Sequence, residues 1–92
     1  MPTLFIDGKW TAGSGGTDDV INPFDGSVVE TVDQAGPDDV ARAVAAARTA
    51  FDTGPWRTTP APERGALLRR VADLLVRDKE SIAHTETLDT GK

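Results

Sequence analysis

The stretch GPDDVARAVAAARTAF, Gly36–Phe51, decides how the rest of the chain is read. Gly36-Pro37 punctuates a change from extended chain to helix. Proline suits the first helical position, where its missing N–H would have no partner anyway. Asp38 and Asp39 then fall in the first turn, where carboxylates favour the positive end of the helix dipole. Val40, Ala43, Val44, Ala47, Ala50 and Phe51 recur at helical spacing along one stripe. The spacing predicts a helix over 37–52. Its other faces are mostly alanine and arginine, and small side chains let neighbouring elements approach closely. Cover on more than one side is expected. Asp38-Asp39 as a metal or acid–base pair is the sharper reading. The helix start explains the pair more simply and leaves it solvated.

Upstream, residues 1–33 read as short strands. Leu4-Phe5-Ile6 and Lys9-Trp10-Thr11 flank Asp7-Gly8, a strong hairpin signal because both central turn positions need φ > 0. Gly13-Ser14-Gly15-Gly16 reads as a flexible loop. As a phosphate loop it fails, since the sixth position from Gly13 is Asp18 and strand rather than helix follows. A second strand pair is expected near Asp19–Ile21 and Val28–Val32, joined by the turn formers Asn22-Pro23-Phe24-Asp25-Gly26. Adjacent strand residues point to opposite faces, so Asp18 and Asp19 cannot easily share an ion.

Downstream, Thr53-Gly54-Pro55 ends the first helix, and a loop through Trp56 and Pro60 leads to a second over 60–77. Thr59 is the expected N-cap, with Pro60 and Pro62 tolerated in the first turn. Leu67, Leu68, Val71, Leu74 and Leu75 form its apolar stripe. Asp78 is expected to cap a third, short helix over 79–89; one continuous helix from Glu63 to Leu88 is the competing reading. Val44, Phe51, Leu68, Val71 and Leu75 are the expected core of the complete protein. Trp10 and Trp56 are expected to pin a hairpin and a loop onto that core, since aromatic rings carry much apolar area and neither lies in a basic patch.

Bulk composition narrows the function classes. Ninety-two residues make one small domain or part of one. The 38% hydrophobic content includes many alanines, and with no cysteine there is no disulfide framework to reinforce a thin core. A net charge of −5 and no Lys/Arg stripe argue against nucleic acid. No apolar run approaches the roughly 18 residues of a membrane helix, and MPTLFIDGKW lacks the pattern of a signal peptide. The expectation is a cytoplasmic protein with neither nucleic-acid nor membrane partners. Thr90-Gly91-Lys92 resembles the end of a P-loop, but Glu86 occupies the place of the required glycine. His84, the single histidine, has no Cys or His partner for zinc and no Ser or Cys to activate, and reads as an ordinary helix residue.

Six segments in order carry a family resemblance: FIDGKW at Phe5–Trp10, INPFDGSVV at Ile21–Val29, DDVARAVAAARTAF at Asp38–Phe51, Trp56-Arg57, ERGALLRRVADLL at Glu63–Leu75 and ETLDTGK at Glu86–Lys92. Together they resemble the opening of NAD(P)-dependent aldehyde dehydrogenases of the betaine aldehyde dehydrogenase kind. The resemblance implies an α/β fold. The chain would supply the N-terminal strands and two to three helices of a doubly wound cofactor-binding domain, as one fragment of a much longer homo-oligomeric oxidoreductase. In that family a cysteine thiolate attacks the aldehyde, hydride passes to NAD or NADP, and a glutamate-activated water releases the carboxylic acid. Those residues belong to later sequence, so no catalytic or cofactor-binding residue is expected within these 92. The family also implies a monovalent cation such as potassium, held by the backbone carbonyls of Val20 and Ile21 and by the Asp89 carboxylate. A hydrogen-bonding role for Asp89 at the Thr90-Gly91 turn is the plainer alternative. A small non-enzymatic structural or interaction protein derived from such a gene is the alternative for the chain as a whole.

Overall fold

The computed structural model describes residues 2–92. Two antiparallel hairpins precede three helices. Strands β1 (Leu4–Ile6) and β2 (Lys9–Thr11) pair Phe5 with Trp10. Asp7 and Gly8 both take positive φ, as the two-residue turn requires. The Phe5 and Trp10 rings meet with centroids 5.1 Å apart. Strands β3 (Thr17–Ile21) and β4 (Val28–Asp33) form the second ribbon, with an irregular step between Val20 and Ile21 that leaves Val29 out of the pairing. Its turn is tied down by its own side chains. The Asn22 Oδ1 accepts from the Phe24 amide at 2.9 Å, and Asp25 accepts from the amide and hydroxyl of Ser27 at 2.9 and 2.6 Å. These two hydrogen bonds hold the Asp25 carboxyl below its ordinary range.

Helix α1 spans Pro37–Thr53, α2 spans Ala61–Arg77 and α3 spans Lys79–Thr90. A short 3₁₀ turn, Pro55–Thr58, occupies the connection that the sequence suggests is plain loop. Thr59 is not the cap of α2. Pro60 holds that position, and the Thr59 hydroxyl donates instead to the Pro55 carbonyl at 2.7 Å, an acceptor supplied by the 3₁₀ turn. The continuous-helix alternative is also corrected. Asp78 alone leaves helical geometry, with φ −100° and ψ 13°, and separates α2 from α3. It caps with its backbone only, because its carboxylate is held by the Arg77 guanidinium through two contacts of 2.9 Å.

The α-helical stripes find no cover among the described residues. Among the described residues no hydrophobic side chain is buried. Val44, Phe51, Leu68, Val71 and Leu75 are all exposed, Leu75 at 55%. Trp10 and Trp56 are likewise exposed, so neither anchors a core within these residues. Phe51 is instead flanked by the guanidinium groups of Arg48 and Arg57, each 5.7 Å from the ring centroid. The accessible surface is 7351 Å², roughly 2,000 Å² more than a folded chain of this mass presents. The radius of gyration is 17.0 Å, against about 12 Å for a compact domain of this length. Amphipathic faces that meet nothing are the direct cause of both figures.

Candidate functional site

Two groupings of polar residues stand out. The first lies where α3 passes the β3–β4 ribbon. Gly91 ends α3 in the left-handed region with φ 76°, and its amide donates to the Thr87 carbonyl at 2.9 Å. This is the usual glycine helix stop. A Cβ at Gly91 would lie 3.0 Å from the Phe24 amide nitrogen and 3.2 Å from the Pro23 Cβ. The end of α3 is therefore pressed against the Asn22–Gly26 turn. That approach brings the last turn of α3 alongside the ribbon and opens a cleft of about 460 Å³ between them. Val20 and Asp89 line the same cleft, with Glu30 and Glu86 beside them. Ile21 ends β3 next to the irregular step but is not part of the lining.

Among the described residues no group of three or more His, Cys, Asp or Glu side chains is arranged to hold a metal ion. The cleft carries the carboxylates of Asp89, Glu30 and Glu86, and the main chain at a ribbon step where regular pairing is interrupted.

The second grouping is a clamp that the sequence reading missed. Asp39 is 3% exposed and is the one buried charged residue among those described. Its Oδ2 accepts from the Ser14 amide at 2.8 Å, the Ser14 hydroxyl at 2.9 Å and the Gly36 amide at 2.8 Å, while Oδ1 meets the Arg42 guanidinium. The expectation that Asp39 is solvated is thus overturned. So is the expectation of a flexible Gly13–Gly16 loop. Besides the Asp39 contacts, the Gly15 amide donates to the Gln34 carbonyl at 3.0 Å and the Gln34 amide to the Gly16 carbonyl at 2.8 Å. A Cβ on Gly15 would stand 2.8 Å from the Ala35 carbonyl oxygen, so the close approach depends on glycine. The Ser14 amide, then the Gly36 amide and Ser14 hydroxyl, hold the Asp39 carboxyl well below the usual carboxylate range; desolvation opposes them, and Arg42 adds a smaller push downward. The clamp fixes the start of α1 to the loop between the ribbons. It presents no free nucleophile or base, and its chemistry is structural.

The sequence expectation of no thiol nucleophile stands on composition, since the chain has no cysteine. No helix among the described residues is long and apolar enough to cross a membrane.

Comparison with known proteins places this architecture. The chain is 45% identical over 91 residues to betaine aldehyde dehydrogenase of Bacillus subtilis, covering 98% of this chain and 19% of that protein. It is 46% identical over 91 residues to the human mitochondrial aldehyde dehydrogenase, covering 97% of this chain and 18% of that protein. The crystal structure of Staphylococcus aureus betaine aldehyde dehydrogenase in complex with NAD+ matches 96% of this chain with a TM-score of 0.90 and 42% identity, over 18% of its own length. The chain thus spans about a fifth of the length of these relatives. The α/β class and the expected place in the dehydrogenase fold are borne out. The profile of the aldehyde dehydrogenase family matches residues 10–92, and the chain belongs to the aldehyde dehydrogenase family.

Proposed function

We propose that these residues are scaffold within an enzyme that oxidises an aldehyde to a carboxylic acid with NAD+ or NADP+. The observation that carries this reading is the superposition on the NAD+ complex of the Staphylococcus relative over 96% of the chain. The hairpins and helices contribute packing faces, and the uncovered stripes of α1 and α2 are the surfaces against which further polypeptide folds. Bound NAD(P)+ accepts the hydride; the thiolate and the general base come from residues outside this segment. The reading extends to a cytoplasmic homo-oligomer acting on a small aldehyde, in keeping with the acidic charge balance. The test has two arms. The 92-residue chain, purified free of other dehydrogenases, is expected to give no NADH with betaine aldehyde or acetaldehyde. The gene is expected to continue in frame past Lys92, and its whole product is expected to reduce NAD+ or NADP+. NADH formation by the short chain overturns the scaffold assignment. A stop codon directly after Lys92 favours a small interaction protein instead.

The cleft beside α3 is proposed as a monovalent cation site, with Val20 and Ile21 giving carbonyl oxygens and Asp89 the balancing carboxylate. Its support is the shared cleft of Val20 and Asp89 and the interrupted ladder at Val20–Ile21. Thermal stability of the gene's whole product is expected to be higher in potassium than in a bulky organic cation, and Asp89→Asn is expected to abolish most of that difference. A wild type indifferent to potassium, or a variant that keeps the full difference, removes Asp89 from the role.

A further inference from the structure

The chain holds two Asp-Gly pairs, Asp7-Gly8 and Asp25-Gly26, and their surroundings differ in a way that bears on backbone chemistry. Among aspartyl dipeptides, Asp-Gly is the one most open to ring closure, because glycine has no side chain to obstruct its own nitrogen. At Asp25 both reacting groups are engaged. The carboxylate accepts from the amide and hydroxyl of Ser27, and the Gly26 amide donates to the Asn22 carbonyl at 2.8 Å. At Asp7 neither is. Among the described residues the Asp7 carboxylate has no hydrogen-bond donor and the Gly8 amide has no main-chain acceptor. Both residues are exposed at the tip of the β1–β2 hairpin. Asp7 also occupies the left-handed region at φ 54°, the only described non-glycine residue with positive φ.

We propose that Asp7-Gly8 is a site of spontaneous aspartate isomerisation, and that the Asn22–Ser27 turn protects Asp25-Gly26 from the same reaction. In the first step the Gly8 amide nitrogen attacks the Asp7 side-chain carboxyl carbon. The amide proton and the carboxyl hydroxyl leave together as one water, and a five-membered succinimide forms. Water then adds back. Opening at the former side-chain carbonyl restores aspartate. Opening at the main-chain carbonyl yields isoaspartate, in which the backbone runs through Cβ and the α-carboxylate becomes the side group. No electrons change hands and the net composition is unchanged. Isoaspartate inserts a methylene into a two-residue turn whose geometry sets the Phe5–Trp10 register. It also moves a carboxylate at the mouth of the cleft that Asp7, Trp10 and Arg42 line between the hairpin and α1.

Trypsin separates the two sites, because cleavage after Lys9 leaves Asp7 as the single aspartate of its peptide, while Asp25 falls between Lys9 and Arg42. The gene's whole product is incubated at neutral pH and physiological temperature, native and in concentrated urea. Each peptide is then assayed for isoaspartate by mass spectrometric fragmentation and by enzymatic methyl-esterification. In urea the two Asp-Gly pairs are expected to convert at similar rates. In the native protein the peptide ending at Lys9 is expected to accumulate isoaspartate as fast as in urea, while Asp25 stays near its starting level. Asp7→Glu is expected to abolish the signal in the first peptide, since ring closure through one more carbon is slow. Native protection of Asp7, or conversion of Asp25 at an equal rate, overturns the proposal. A Gly26 whose amide exchanges freely in the native state overturns the protective half of it.

Discussion

Leu75→Ala is expected to cost about 2–5 kcal/mol in the gene's whole product, the range for a truncated core leucine. In the 92-residue chain alone it is expected to leave helix content unchanged, as at an exposed site. The contrast follows from where Leu75 sits. It belongs to the apolar stripe of α2 with Leu68 and Val71, and all three are open to solvent in the isolated structure. A leucine stripe on a 17-residue helix is not a solvated face; exposed patches of this kind mark surfaces that take a partner. On the scaffold reading proposed above, further polypeptide covers it. Denaturant midpoints of wild type and variant in the whole product, and circular dichroism of both in the short chain, decide the matter. A small loss in the whole product means that the buried face of α2 is a different one.

Acid is expected to release the loop between the ribbons from α1, and Asp39→Asn is expected to do so at every pH. Removing the charge leaves the Ser14 and Gly36 amides, and the Ser14 hydroxyl, facing a weaker acceptor in a buried place. The sign is fixed by the direction of the shift. Because the folded state holds the Asp39 carboxyl below its ordinary value of 3.8, its contribution to stability is complete above that value. It is lost as pH falls below 3.8 through the lowered native value. Hydrogen exchange at Ser14 and Gly36 reads the clamp directly. In wild type their protection is expected to be full near neutrality and to disappear in strong acid. In Asp39→Asn it is expected to fall to the level of unstructured chain throughout. Equal protection in variant and wild type means that the clamp is held by something other than the carboxylate.

The parts of this fold that were legible in sequence are those fixed by neighbours along the chain. Asp7-Gly8 specifies its own turn dihedrals, and Pro37 with two following acids specifies a helix start. What escaped depends on distant residues. Asp39 had a sufficient local explanation in the helix dipole, and nothing nearby pointed to Ser14, which lies 25 residues away. The third position of a helix with a glycine N-cap was the available signal, since a carboxylate there can reach back to the N-cap amide. Thr59 was misassigned because a hydroxyl before Pro60 looks like a cap until the 3₁₀ turn offers it the Pro55 carbonyl. The nearness of Val20 and Asp89 was legible only through the resemblance. The apolar stripes were legible as faces, but nothing among the described residues covers them.

Calorimetry of the 92-residue chain on its own is the most direct measurement of whether these residues are an incomplete scaffold. With no buried apolar side chain among the described residues, the chain is expected to melt without a cooperative heat-absorption peak and to bind apolar dyes at all temperatures. A sharp two-state transition with an enthalpy approaching about 0.7 kcal/mol per residue, together with a dispersed NMR spectrum, would mean that the chain forms its own core and would contradict the scaffold reading.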